Sequence, residues 1–474
     1  MKTFLEIVRD SIYSIIFHLA PRFANVLLFI LIGRQIGALE AGMFTLATTY
    51  LLIFATFTKG LDDLLVREVA RLENKRAANY FINFLLIRIV LALCLQGILI
   101  GIVSYLFDYS PDTTFTIVIL SFSLIPDSIT YVAQSILLAN RRYQSSAIIL
   151  GLASGLKLLG GGIVVFAGGS IMQIAWVLVA GSLFGMVWML IFAVRQVKPI
   201  YRQDWINWEP LRQHWRAALS FITITLLITL ETQTDTILLS VFRTELEVGW
   251  YGAATTVAYS LIMFSQAYRY AIYPLMTRYA LQSPEKIQQL YTQSLRVLSI
   301  LVLPMIAGVI ITAPALVNFV FGPEFFPTVT ILRIISFTLL FMFLNEPTIR
   351  VLLVHNHQAR ISLFLLISAT LNIGLNLLLI PIWGANGAAV ARVASALSLF
   401  ALGYFYIQWH IIQVRLLRIL WKPLLATAIM SIILWPIREY PLFLVILAGI
   451  VIYGFSLIAL KEIKREELML YQRS

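Results

Sequence analysis

The chain of 474 residues is 60% hydrophobic and only 12% charged, with a mean hydropathy of +0.88. Soluble domains average roughly 45–50% apolar and about 25% charged, so this balance excludes a soluble globular protein. The single cysteine, Cys94, excludes a disulfide framework and a thiolate metal site, and the net charge of +12 lies in loops between apolar runs, the pattern of membrane topology and not of a nucleic-acid surface.

A spanning helix needs about 20 mostly apolar residues. Lys2, Glu6, Arg9 and Asp10 precede a long apolar run without a small-residue exit site, so this run reads as a first span and not as a cleaved signal. That span covers 11–32. Further spans at 41–62, 79–107, 114–138, 147–167 and 171–194 complete a block of six. The longest polar connection, 195–217, follows. A second block of six is predicted at 218–242, 249–275, 297–321, 329–352, 361–381 and 386–409, and a final pair at 423–437 and 441–460. The predicted fold class is therefore an all-α polytopic membrane protein of about fourteen helices. Its expected divisions are a six-helix lobe (1–196), a cytoplasmic linker (197–217), a second six-helix lobe (218–410), and two extra helices with a tail (411–474).

Loop charge orients the spans. Twenty-five Lys and Arg residues, among them Arg71, Arg202 and Lys286, fall on one side, whereas three, Arg34, Arg243 and Arg438, fall on the other. The positive-inside rule makes the first side cytoplasmic and both termini with it. The outer loops are a few residues long, too short for the chemistry of a membrane glycan ligase or polymerase.

One segment repeats. Leu39-Glu40-Ala41-Gly42-Met43-Phe44-Thr45-Leu46-Ala47-Thr48-Thr49 returns 207 positions later as Leu246-Glu247-Val248-Gly249-Trp250-Tyr251-Gly252-Ala253-Ala254-Thr255-Thr256, with six of eleven residues identical. Both copies stand at the connection of the first two spans of a six-span block. An even number of spans per block predicts two lobes related by a pseudo-two-fold axis along the membrane normal, as in parallel-repeat transporters.

Several ordered stretches carry a family resemblance. They are Gly33-Arg34-Gln35-Ile36-Gly37 through Gly42-Met43-Phe44, Thr234-Asp235-Thr236-Ile237-Leu238-Leu239 leading to Val248-Gly249-Trp250-Tyr251, Phe319-Val320-Phe321-Gly322-Pro323-Glu324-Phe325, and Asn372-Ile373-Gly374-Leu375-Asn376-Leu377 through Ile380-Pro381-Ile382-Trp383-Gly384-Ala385-Asn386-Gly387-Ala388-Ala389. In their order and spacing the chain resembles the polysaccharide-transport branch of the multidrug/oligosaccharidyl-lipid/polysaccharide exporter superfamily, the lipid-linked oligosaccharide flippases. The resemblance covers essentially the whole chain. It implies a fourteen-helix, two-lobed fold with a central cavity, alternating access, and translocation of a polyprenyl-diphosphate-linked glycan.

Charges inside spans are costly, about 2.5–3.5 kcal/mol each at a helix centre by insertion scales, and mark candidate sites. Arg22 lies mid-span beside Pro21, with His18 and Asn25 on the same face at helical spacing. A polar face at a proline kink reads as a cavity lining, against the alternative of an inter-helix hydrogen-bond cluster. Lys157 shares a small-residue face with Ser154 and Gly161, which also suits helix packing around a charge with a local partner. Arg269 runs with Ser265, Gln266 and Tyr273, and Arg392 lies in an Ala/Ser-rich span. Arg88 lacks a polar stripe of its own, while Arg333 and Arg350 stand near span ends and can snorkel. Arg22, His18, Asn25, Arg88, Lys157, Arg269 and Arg392 are the candidate substrate-binding residues. Glu231 and Asp235, four apart on one face, are the candidates for ion coupling, because adjacent carboxylates repel unless a proton, a cation or an Arg intervenes.

No Walker loop, nucleophile elbow or metal-ligand spacing occurs, so the expectation is a transporter and not an enzyme, without a cofactor, coupled to a proton or sodium gradient. The favoured function is a flippase for a lipid-linked oligosaccharide in the plasma membrane, a bacterial inner membrane in the simplest case. It would work with the lipid bilayer, and with polysaccharide polymerase and chain-length machinery as further partners. A multidrug cation antiporter of the same superfamily is the alternative, and a membrane glycan ligase or polymerase a further one.

Overall fold

A computed structural model describes residues 20–59, 62, 65–66, 69, 77–196, 209–280 and 282–462. Contacts divide the chain into two compact units, Met1–Gly249 and Trp250–Ser474.

The first unit contains helix α1 over 20–35, α2 (Ala38–Lys59) and α3 (Ala77–Tyr105). It continues with α4 (Pro111–Ser121), α5 (Leu124–Ala139), α6 (Tyr143–Phe166), α7 (Ile171–Gln196) and α8 (Glu209–Phe242). Helices α4 and α5 are one expected span broken in two. Pro126 in the first turn of α5 cannot donate to the carbonyl of Phe122 and its ring would crowd that group. Phe122 and Ser123 instead turn tightly, donating to Ile119 and Leu120. Ser110 caps α4 by accepting from the Thr113 amide, with Pro111 at the first helical position. Helix α5 packs against α3 and α7, and α6 against α7. The α6–α7 seam is built from small residues. A methyl group at Gly160 would press on Val177, one at Gly181 on the stem of Lys157, and one at Gly185 on Ala153.

The second unit holds most of α9 (Glu245–Ser260), then α10 (Ile262–Ala280), α11 (Pro284–Val320), α12 (Thr328–Val354), α13 (Gln358–Trp383), α14 (Ala385–His410), α15 (Leu416–Leu434) and α16 (Leu442–Ala459). Helices α12, α13 and α14 pack on one another, and α11 lies between α12 and α15. The last pair clasps α11 through Ile311, Met430, Leu434, Val445, Tyr453 and Leu457. Glu462 draws in Arg296 at 2.6 Å and Lys422 at 3.3 Å.

Among the described residues, eleven helices or broken helices are long and apolar enough to cross a membrane. The chain is therefore a multi-pass all-α membrane protein. Eleven is the number that length and apolarity establish among those residues; fourteen is the sequence-based expectation, which adds α1, α8 and the α9–α10 pair.

The turns follow the quoted motifs. Gly322 stands at φ 97° before the short helix Pro323–Phe325, and Phe325 is buried with its ring 5.0 Å from that of Phe321. Gly384 at φ 56° joins α13 to α14, and at Gly387 an added methyl group would overlap the carbonyl of Leu379. Only glycine meets both demands, a left-handed backbone at the first position and a backbone contact at the second.

Candidate functional site

In the first unit the in-span basic residues fall into three environments. Arg22 and Asn25 are exposed on α1, and His18 lies outside the described residues. Arg88 is fully buried and ion-paired with Asp62, and its Nε and Nη1 have no hydrogen-bond partner among the described residues. Lys157 is half-buried, its stem lying over Gly181 while Nζ donates to Ser182 Oγ at 2.8 Å.

Two features of this unit lay outside the sequence reading. The first is a hydroxyl-rich seam between α2 and α8. Thr49 donates to Gln233 at 3.3 Å, Thr56 pairs with Thr229 at 3.0 Å, and Tyr109 bridges Tyr50 and Ser240 at 2.9 Å each. Burial pushes the Tyr109 phenol up from its ordinary pKa, so it remains a donor at neutral pH. Glu231 and Asp235 are both buried and both partnered. At 100° per residue they lie on the far side of α8 from Thr229, Gln233 and Ser240.

The second feature is a reciprocal backbone contact that realises the internal repeat. A methyl group at Gly42 would overlap the carbonyl of Glu245 and come within 3.0 Å of Gly249 N. One at Gly249 would overlap the carbonyl of Ala38 and come within 3.1 Å of Gly42 N. Ala38 and Glu245, like Gly42 and Gly249, are separated by the 207-residue offset of the repeat. The first turns of α2 and α9 thus meet backbone to backbone in a local two-fold arrangement. Glu245 Oε1 also accepts from Thr113 Oγ1 at 3.1 Å and from the Ser110 amide at 3.4 Å, tying the start of α4 to the same point.

In the second unit, Arg392 is buried, with Nε donating to Tyr259 Oη at 2.9 Å. Arg269 belongs to a different kind of group. Glu346 of α12 receives Arg269 Nη1 at 3.3 Å on one oxygen and Arg350 Nη2 at 3.6 Å on the other. The Arg350 guanidinium lies 5.5 Å over the Tyr273 ring. All three charged side chains keep part of their surface open, 26%, 17% and 21% for Arg269, Glu346 and Arg350. Two guanidiniums thus meet at one carboxylate with part of each side chain open, donors of the kind that bind anions bidentately. Sequence reasoning had Arg269 but set Arg350 aside as a snorkelling residue. The available signal was the i, i+4 spacing of Glu346 and Arg350. No group of three His, Cys, Asp or Glu able to hold a metal occurs among the described residues.

The family model described as "Polysaccharide biosynthesis protein" matches residues 51–330, more than half of the chain. The chain belongs to that family. A curated relative, the "Probable low-salt glycan biosynthesis flippase Agl15" of Haloferax volcanii, is 28% identical over 162 residues. That match spans 34% of this chain and about a third of the relative, also 34%. Among solved structures, the "Lipid II flippase MurJ, inward closed conformation" superposes with a TM-score of 0.78 at 14% identity, covering 95% of this chain and 99% of that one. An "Inward-facing conformation of a multidrug resistance MATE family transporter of the MOP superfamily" follows with a TM-score of 0.65 at 13% identity, covering 82% and 94%. The chain therefore shares the fold of these two structures.

Proposed function

We propose that the chain is a flippase that moves a polyprenyl-diphosphate-linked oligosaccharide across the plasma membrane by alternating access, with both termini in the cytoplasm. The observation that carries this reading is the Arg269–Glu346–Arg350 group. A diphosphate crosses a bilayer only if fixed donors replace its water. Guanidiniums supply those donors bidentately, and this group brings two of them to one place with part of their surface open. Arg22 and Asn25, exposed on α1, are proposed as a second contact for the anion. Arg88 and Arg392, fully buried, are assigned to packing, and Lys157 with its serine partner to the α6–α7 seam. The similarity to proteins named as glycan and lipid II flippases supports the reading.

A cation exporter of the same fold would bring its substrate against two guanidiniums, which repel it. Glu231 and Asp235 are proposed to couple transport to a proton or cation gradient. The contact of Gly42 and Gly249 is proposed as the outer closure, because the charge bias of the loops places the starts of α2 and α9 outside.

The test is translocation in proteoliposomes of an oligosaccharide linked by diphosphate to a short polyprenol, followed by lectin capture of the exposed sugar. The Arg269→Gln/Arg350→Gln variant should lose translocation while remaining folded. Unchanged translocation by that variant would remove the group from the substrate path, and translocation of organic cations by wild type would favour the exporter reading.

A further inference from the structure

A cavity of about 420 Å³ opens at one end of the second unit, where α11, α14 and α15 meet. This size lies within the range of about 300–1,000 Å³ usual for small-ligand sites. Its lining includes Gln288 and Thr292 from α11, Gln408 from α14, Gln413 from the α14–α15 connection, and Arg415 and Arg418 from the start of α15, and among the described residues no acidic side chain.

The connection is held in place. Gln288 Nε2 donates to the Gln413 carbonyl. Gln408 Oε1 accepts from the Val414 amide at 2.7 Å, and Tyr404 Oη donates to the Val414 carbonyl at 2.6 Å. The floor is thus fixed whether or not anything binds.

Its charge is unbalanced. Nearby Arg296 and Lys422 share Glu462, whereas Arg415 and Arg418 form no ion pair with any described carboxylate. Arg415 stands at the N-cap and Arg418 in the first turn of a 19-residue helix that no side chain caps. The partial positive charge of that terminus adds to theirs.

The surroundings fix the depth. Trp409 is 76% exposed, Leu417 82% and Trp421 52%. Exposed indoles beside arginines at the end of an apolar span mark the headgroup level of a bilayer. Basic pockets between spanning helices on the cationic side are suited to lipid headgroups.

We propose that this cavity binds the phosphate of a membrane-anchored lipid, gripped by Arg415 and Arg418 and the amide donors around them, with the acyl or prenyl chain lying along the exposed face of α15. The phosphate has two possible sources, an anionic phospholipid of the bulk bilayer or the diphosphate of a polyprenyl carrier. Only the second source rests on the function proposed above.

The full chain would be purified from bilayers of equal phosphatidylglycerol and phosphatidylcholine, and the retained lipid counted by mass spectrometry. Wild type should retain phosphatidylglycerol in preference, and Arg415→Gln/Arg418→Gln should lower that retention by about fivefold for each arginine removed. Arg142→Gln, an exposed arginine elsewhere, should leave it unchanged. Displacement by added polyprenyl diphosphate identifies the carrier as the preferred source, and resistance to it identifies the phospholipid; either result supports a lipid-phosphate site. Equal retention of the two phospholipids by wild type, or equal phosphatidylglycerol retention by wild type and the double variant, overturns it. So does full displacement by inorganic phosphate, which would show a free-anion site. If the glutamine variant does not fold, Arg415→Lys/Arg418→Lys replaces it, and phosphatidylglycerol retention that does not fall relative to wild type, or that is insensitive to salt, has the same overturning force. Because no transport is measured, failure here is separate from failure of the flippase reading.

Discussion

Gly42→Ala puts a single methyl group against the Glu245 carbonyl, which belongs to backbone and cannot swing aside. The first turns of α2 and α9 must then part. Forcing a methylene into a packed site costs typically about 1–3 kcal/mol. Charged to the state in which these turns touch, that cost shifts a two-state equilibrium by roughly 5- to 150-fold toward the parted state. The sign is diagnostic, because alanine within a helix is otherwise more favourable than glycine by roughly 0.5–1 kcal/mol. Gly155→Ala, where an added methyl group meets nothing within 4 Å, should show only that gain. Gly249→Ala strikes the reciprocal carbonyl, of Ala38, so the double variant should cost less than the sum of the singles: the first substitution opens the space that the second would fill. The assay is labelling of Leu246→Cys by an impermeant reagent in a Cys94→Ser background, with export and membrane protein level followed in parallel. Labelling should rise and export fall at normal protein level. Labelling and export at wild-type values in Gly42→Ala would refute the closure argument, as would strict additivity of the two substitutions.

Other outcomes follow from individual side chains. Glu231→Gln/Asp235→Asn should abolish dependence of transport on an ion gradient, and unchanged dependence would leave both acids structural. Glu346→Gln removes the negative charge that two guanidiniums share, so thermal stability should fall, and added pyrophosphate should restore part of it by supplying a negative charge against them. Arg22→Ala should end export at normal protein level while Arg22→Lys restores it partly, because charge returns without the planar fork; full export by Arg22→Ala would exclude Arg22 from the path. Cysteines placed near Asp112 and Glu324 should react from outside and one at Arg202 should not, as the loop charges require.

The spans were legible because about 20 apolar residues in a row have few alternatives to crossing a bilayer. Their interruptions were less so. Pro126 breaks α4 from α5, yet Pro304 and Pro314 both sit inside the continuous α11. A proline marks a lost hydrogen bond, and packing on neighbouring helices decides whether the helix bends or stops. The motifs that carried the family resemblance prove to be turn chemistry: Gly322 and Gly384 at positive φ, Gly387 against a carbonyl, and Gly42 and Gly249 in mutual contact. Such motifs specify how helices are joined and how closely they approach. They report the fold and are silent on the substrate, which contacts other residues.

The basic residues show where single-sequence reading loses resolution. Arg88, Arg269 and Arg392 all lie within apolar spans, and the faces they share, a polar one for Arg269 and none for Arg88, do not reveal their partners; the cost of desolvation sorts them once partners are seen. A fully buried guanidinium persists only against a fixed counter-group, and Arg88 finds Asp62 whereas Arg392 finds Tyr259. Neither partner is close in sequence, so no local pattern announces them. Arg269 instead shares Glu346 with Arg350 and keeps a quarter of its side chain open. The residues to test for substrate contact are therefore those whose side chains keep surface open, Arg22, Arg269 and Arg350, and not the most deeply buried.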